Sequence, residues 1–542
     1  MRVLNGRGSS GGVAVGDIYY MKKHDLSVVE SKIDDIPAEI ERFNHSKLEA
    51  ITQLDKLYEH AVKTDFSTAQ VFEVHKMLID DPDFSDGCLG MIEEGFNAEW
   101  AVVSVRTMIA DMFLAMDDPY MRARSADIMD ISDRILKILK GIKETDLSLT
   151  GKLIVVAEDL LPSETVKLDK NNVVGFVTKF GSNTSHSAIL ARTMGIPAVV
   201  NLRESFSDIP LDGKIAIDGD TGKVIVDPTS VIIANYQEMI KRQNADKQEL
   251  KKYVGSKAIT KHGHGVKIGA NIGSVTDIAE VKKNDADCVG LFRSEFVYLE
   301  SDHFPTEEEQ FKIYKQVVSE LSPLNVIIRT LDLGADKQAS YFGIPNEDNP
   351  ALGYRAIRIC LNEPKIFETQ LRALLRASAF GNLAIMFPMI SHYTQIVEAK
   401  RLLEYCKEQL KKDGIAFDEN ISVGVMIETP ASVMIADKLA KQVDFFSIGT
   451  NDLTQYTLAC DRMNANVEQL FDSGNEAVLK MIELTAKAAH ENGIWVGICG
   501  ESAGDLDLND FYMSIGIDEL SVSPSKILRL KKTVINSNTE TI

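Results

Sequence analysis

Between residues 254 and 542 the chain repeats one unit eight times: a short β-rich run, mostly followed by a stretch with helical spacing. The runs are KIGANIG, CVGLFR, VIIRTLDLG, LAIMFP, VGVMIE, FFSIGT, WVGICGE and ELSVSP. Strands that alternate with helices imply parallel pairing, because each return to the same end of a sheet needs a crossover. Eight units in about 290 residues is the arithmetic of a closed (β/α)8 barrel. A doubly wound open sheet is the alternative, but no phosphate-binding GxGxxG follows the first run. The spacing therefore predicts a barrel.

A chain of 542 residues exceeds what one hydrophobic core can organise, so further domains are expected before the barrel. Residues 1–20 and 147–230 have the texture of short strands, and KIAIDGDTGKVIVDP reads as a hairpin turning near Gly219. Between them, residues 21–146 have apolar positions at i, i+3, i+4 and i+7, the pattern of amphipathic helices. The expected organisation is an α/β domain made of 1–20 and 147–230, with a helical domain inserted at 21–146. Residues 231–253 are mostly polar with helical spacing, suited to a linker helix, and 254–542 form the barrel.

Charge narrows the partners. The chain carries a net charge of -21, which argues against a nucleic-acid partner, since phosphate backbones need a positive footprint. Residues 25–146 contain 13 Lys/Arg and 26 Asp/Glu, more than half of that excess. Solvated helical faces account for most of such a skew, and a basic protein partner for the helical insert accounts for the rest. No apolar run approaches a membrane span, and the first residues, MRVLNGRGSSGGVAVG, lack the apolar core of a signal peptide. Six cysteines are scattered without a CxxC, as in a reducing compartment, so a cytoplasmic location is expected.

In a barrel, chemistry collects where strands end. The ends of the eight runs supply Asn271, Arg293, Arg329, Glu428, Asn451, Asp452 and Cys499, with Arg355, Arg358 and Arg462 in later loops. A single arginine there is usually a surface ion pair. Two ending neighbouring strands among apolar residues favour a phosphate or carboxylate ligand, whose oxygens match the guanidinium's planar donors. Glu428 and Asp452 follow consecutive runs and can converge, and a carboxylate pair with few other ligands suits Mg²⁺. Asp452 could also merely cap a helix. Cys499, between glycines, reads either as a small buried hydrophobe or as a proton donor beside a metal and arginines.

A second centre lies in KFGSNTSHSAILARTMGIPAVV. His186 follows a Gly/Ser/Asn turn and falls in the first turn of a short helix, where free N–H groups favour a negative group such as phosphoryl. Most lone histidines are structural, and spacing alone does not prove phosphorylation here.

Taken together, these segments resemble enzyme I of the bacterial phosphoenolpyruvate:sugar phosphotransferase system along essentially the whole chain. TSHSAILAR resembles the family's phosphohistidine signature. GLFRSEFVY, IIRTLDLGADK, NPALGYRAIRICL, IETPASV, IGTNDLTQYTLACDR and GICGESAG resemble its barrel motifs, in order. The resemblance implies that His186 takes the phosphoryl group of phosphoenolpyruvate and passes it to HPr, a small histidine carrier protein that docks on the helical insert. It further implies that Thr165 bonds this histidine, that Arg293, Arg329 and Arg462 hold the substrate phosphate, and that Asn451 and Arg355 assist. Glu428 and Asp452 would bind Mg²⁺, Cys499 would protonate the enolate, and two copies would pair through the barrel. Phosphoenolpyruvate synthase and pyruvate phosphate dikinase share such a histidine domain and barrel but need an ATP-binding domain, and no Gly-rich nucleotide loop precedes the histidine. A non-catalytic regulatory relative is the other alternative, and it would have no need of the complete set of site residues.

Overall fold

The computed structural model describes the chain except residues 22–24, 63–65, 115–118, 143–150, 161–171, 182–185, 300, 302, 335–339, 344–346, 463, 465 and 542. It divides into two compact units, Met1–Lys247 and Gln248–Ile542.

The first unit is built on an eight-stranded sheet. Its strands are β1 (Arg2–Asn5), β2 (Arg7–Ser10), β3 (Val13–Tyr20), β4 (Leu153–Ala157), β5 (Val173–Thr178), β6 (Ala198–Val200), β7 (Lys214–Asp218) and β8 (Lys223–Val226), in the order β1-β8-β7-β3-β4-β5-β6-β2. β7 and β8 form the antiparallel hairpin expected from DGDTG. β3 pairs antiparallel with β7 on one side and parallel with β4 on the other. β4 is buried at every position, which is why LIVVA is an unbroken apolar run instead of an alternating one.

Five helices lie in the chain between β3 and β4: α1 (Ile36–Val62), α2 (Phe66–Asp80), α3 (Pro82–Glu93), α4 (Ala98–Leu114) and α5 (Pro119–Leu139). They bury a core of their own around Phe43, Leu54, Phe72, Phe84, Ile92 and Ile131. The sequence DDPD punctuates α2 from α3: the Asp81 carboxylate accepts from the N–H of Asp83, and Pro82 occupies the first turn, where its missing N–H costs nothing. His186 opens the helix α6 (His186–Met194). The helix α7 (Ser230–Leu250) buries no residue, in keeping with its polar composition.

The second unit is a closed barrel of eight parallel strands: β9 (Lys267–Ile272), β10 (Cys288–Arg293), β11 (Val326–Arg329), β12 (Leu383–Phe387), β13 (Ser422–Ile427), β14 (Phe445–Ile448), β15 (Trp495–Ile498) and β16 (Glu519–Val522). Each of the eight runs contributes one strand, and β16 pairs with β9 to close the ring. Side chains alternate across each strand. Ile328, Ile385, Val425 and Phe446 join the large core shared with the outer helices. Leu291, Ile327, Met386, Met426 and Phe445 fill the inside together with Cys499, and Phe445 stacks on Trp495 at 4.6 Å between ring centres. Among the described residues, no helix is long and apolar enough to cross a membrane.

Candidate active site

The same two-residue period that packs the barrel interior also places its charges. One step beyond Leu291, Ile327 and Met426 on the inward face come Arg293, Arg329 and Glu428. Charged groups thus cap the apolar interior at the strand ends, on the side where βα loops begin. Arg329 and Glu428 are 5% and 1% exposed, so these are buried ions that need partners.

Most of those partners are present. Arg329 donates through Nη2 to Glu295 Oε1 at 2.6 Å, and its Nη1 lies 2.9 Å from Asp332 Oδ2. The other oxygen of Asp332 accepts from Arg355 Nη2 at 2.9 Å. Arg355 Nη1 reaches Asp452 Oδ1 at 3.3 Å and the Tyr456 hydroxyl at 3.2 Å. The result is a chain of alternating charge, Glu295–Arg329–Asp332–Arg355–Asp452, running through the strand ends. Burial alone would weaken both guanidinium charges, but the flanking carboxylates outweigh it and hold both arginines protonated.

Glu428 stands apart from this balance. Its Oε1 accepts from the N–H of Met389 at 2.5 Å, and its Oε2 is buried with no hydrogen-bond partner among the described residues. Burial first, then the negative charges of Asp452 and Asp332, push its carboxyl up to about 8 against the pull of Arg329 and Arg355. Met389 adopts a left-handed backbone at φ 54°, an uncommon conformation for a side chain of that size, and its N–H bonds this carboxylate. Gly449, just after β14, leaves the space beside Glu428 open, since a Cβ there would sit 2.9 Å from Oε2.

Cys499 lies on the same inner face with its thiol 3.7 Å from the carbonyl of Ile448. Burial pushes it up to about 11, opposed by a hydrogen bond with Ser447 and by the charges of Arg329 and Arg293, so it carries its proton at neutral pH. Asn271 braces the region by donating to the carbonyls of Cys499 at 2.9 Å and Ser521 at 3.0 Å. Asn451 accepts from the N–H of Glu501 at 3.0 Å.

Beside these groups opens a cavity of about 500 Å³ whose lining includes Arg355, Asp452, Tyr456, Cys460 and Arg462. Arg462 is fixed through its backbone N–H to Gln455 Oε1 at 3.2 Å. The structure therefore brings Arg293, Arg329, Arg355, Glu428, Asp452 and Cys499 to one end of the barrel interior, with Arg462 on the cavity wall. His186 belongs to the first unit, and Thr165 lies outside the described residues. Asp332, Glu295, Met389 and Tyr456 also belong to this network, beyond the residues expected from sequence. The two acids carried a usable signal, a charge set within the apolar runs CVGLFRSEF and VIIRTLDLG.

The donor set fits a hard divalent cation. The charge of Asp452 acts on Glu428 and raises its proton affinity, and among the described residues one buried oxygen of Glu428 has no partner. Among the described residues no group of three or more His, Cys, Asp or Glu side chains is arranged for a metal, so substrate or water oxygens would complete the shell.

Comparison with known proteins gives three family matches. The model described as PEP-utilising enzyme, PEP-binding domain, matches residues 247–539; the N-terminal model of the same enzymes matches 5–124, and their mobile-domain model matches 149–222. A phosphoenolpyruvate-protein phosphotransferase of Bacillus subtilis (strain 168) is 44% identical over 531 residues, 97% of this chain and 93% of the relative. One of Staphylococcus carnosus (strain TM300) is 41% identical over 540 residues, 99% of this chain and 94% of the relative. An NMR solution structure of Enzyme I (nEIt) matches at 32% identity, covering 44% of this chain and 99% of its own, with a TM-score of 0.40.

Proposed function

The chain belongs to the phosphoenolpyruvate-utilising enzymes, among the phosphoenolpyruvate-protein phosphotransferases, and on that premise we propose that it moves the phosphoryl group of phosphoenolpyruvate to His186 and then to HPr in the cytoplasm. The observation that carries the reading is the incomplete carboxylate site: a buried oxygen of Glu428 without a partner among the described residues, beside Asp452 and a chain of arginines.

In this reading residues 1–20 and 147–230 are the histidine domain, 21–146 dock the carrier, 231–253 are the linker and 254–542 receive phosphoenolpyruvate. Arg293, Arg329 and Arg462 hold the substrate phosphate, and Arg355 and Asn451 assist; guanidinium donors suit phosphate oxygens. Glu428 and Asp452 hold Mg²⁺, which when bound offsets the negative charge that grows during transfer. The neutral imidazole of His186, bonded by Thr165, attacks phosphorus in line, so a P–N bond forms as the P–O bond to the enol breaks. Cys499 then gives its proton to the enolate carbon, completing pyruvate, and the thiolate recovers a proton from water. The helix dipole at the start of α6 favours the new anionic group. Pairing of two copies through the barrel belongs to the same proposal, and sedimentation of the full chain tests it.

Radiolabelled phosphoenolpyruvate and Mg²⁺, without ATP, should label the peptide containing His186, and added HPr should remove the label. Label that appears only with ATP would move the chain to the dikinases. No label under either condition would leave a protein that binds without reacting.

A further inference from the structure

The cavity is a cleft with two sides. One is the loop 348–352 with Arg355 at its end, and the other is the helix Thr450–Leu458 with Ala459–Arg462. Tyr456 stands on the second side, and its hydroxyl is engaged twice. It donates to the carbonyl of Ala351 and accepts from Nη1 of Arg355 at 3.2 Å. A phenol has one proton to give and lone pairs to receive, so both bonds can be held at once.

The two partners lie four residues apart on one loop. A single hydroxyl thereby fixes both the rim of the cleft and the guanidinium that the rim carries. Among the described residues, the other hydrogen-bond partners of the Arg355 guanidinium are the carboxylates of Asp332 and Asp452. Those acids hold the guanidinium but repel an incoming anion, whereas a hydroxyl holds it without adding charge. The other described side chains that pin this loop belong to its own segment. Arg358 donates to the carbonyls of Leu352 and Gly353 at 2.8 Å, and the Glu347 carboxylate accepts from the N–H of Tyr354 at 3.0 Å.

From these bonds we infer that Tyr456 is a positioning residue that sets Arg355 and the loop 350–352 in the arrangement that receives phosphoenolpyruvate. It touches no reacting atom and acts through Arg355. The inference rests on the phosphotransferase reading above.

The test uses the full chain with Mg²⁺ and follows the initial rate of labelling by radiolabelled phosphoenolpyruvate across its concentration range. In Tyr456→Phe the half-saturating concentration should rise roughly tenfold, the effect of about one hydrogen bond, while the saturating rate changes less than about threefold. In an Arg355→Ala background the same change should add less than about twofold, because the hydroxyl acts through the missing guanidinium. An unchanged half-saturating concentration, or an equal rise with and without Arg355, overturns the inference. A fall in saturating rate alone, accompanied by a lower melting temperature, assigns Tyr456 to folding and overturns it too. Failure of the unaltered chain to label would instead refute the phosphotransferase reading, before any variant is compared.

Discussion

Two of the glutamates buried in the barrel unit can be set side by side, Glu519 at the start of β16 and Glu428 just past the end of β13. Each has its carboxyl pushed up, by burial before anything else. Glu519 has both oxygens satisfied, by the Ser521 hydroxyl at 3.0 Å and the Cys288 thiol at 3.2 Å. Glu428 has one oxygen held by a backbone N–H and the other without a partner among the described residues, with two more acids acting on it. Burial is common to both; completeness of the hydrogen bonding is not. An acid with both oxygens answered belongs to the architecture, while one held by half is prepared for something that arrives later.

The sharpest way to break this comparison is to exchange the acids for neutral groups. Glu428→Gln should lower labelling by phosphoenolpyruvate roughly 10³-fold while leaving the thermal melt of the metal-free chain unchanged or higher. Comparable labelling in both proteins would make Glu428 another architectural acid. Glu519→Ala should do the reverse, costing about 2–4 kcal/mol in denaturant titration while the folded fraction labels within about threefold of the parent. The two thiols extend the contrast. Cys499→Ala should slow pyruvate formation by about 10²-fold with little change in phosphoenolpyruvate affinity, and equal damage to both would remove its role as acid. Cys288→Ala should cost about 1–3 kcal/mol, by leaving one buried oxygen of Glu519 unanswered, and leave the reaction untouched.

The pH dependence of stability sharpens the same comparison. The Glu428 carboxyl moves from its ordinary 4.5 to about 8 in the folded, metal-free chain, so between those values the folded state keeps a proton that the unfolded state has released. Its contribution is fully present below about 4.5 and is lost as pH rises through about 8. Melting temperature should therefore fall from about pH 5 to about pH 8 more steeply in the parent than in Glu428→Gln. Parallel curves would remove Glu428 as the cause.

Much of this barrel was legible as a pattern. Seven of the eight strands fall inside their runs and β13 starts one residue before its own, and the acids and arginines at the ends are visible as charges ending apolar stretches. What stayed hidden was the use the fold makes of three residues. Asp332 sits three residues past the last residue of β11, inside a run that reads as continuous strand, so its pairing with Arg329 and Arg355 depends on where the strand stops. Met389 contributes only a backbone N–H from a left-handed conformation, and no side-chain pattern encodes that. Tyr456 looks like an ordinary helical tyrosine until the fold brings Ala351 and Arg355 to it. In the first unit the alternation of strand texture and helical texture was plain, but the strand order, which sets β3 beside β4, was not readable.

That neighbourhood has a consequence for how the chain could have been assembled and how it can be edited. β3 and β4 run side by side in the same direction, so the path from Tyr20 to Leu153 must return the length of the sheet before β4 begins. The five helices between them are that return path. A graft that swapped them for another module would keep the sheet only if the newcomer delivered its end to the opposite edge of the strands. Trimming the segment to a tight turn would force the two strands antiparallel and cost the sheet its order.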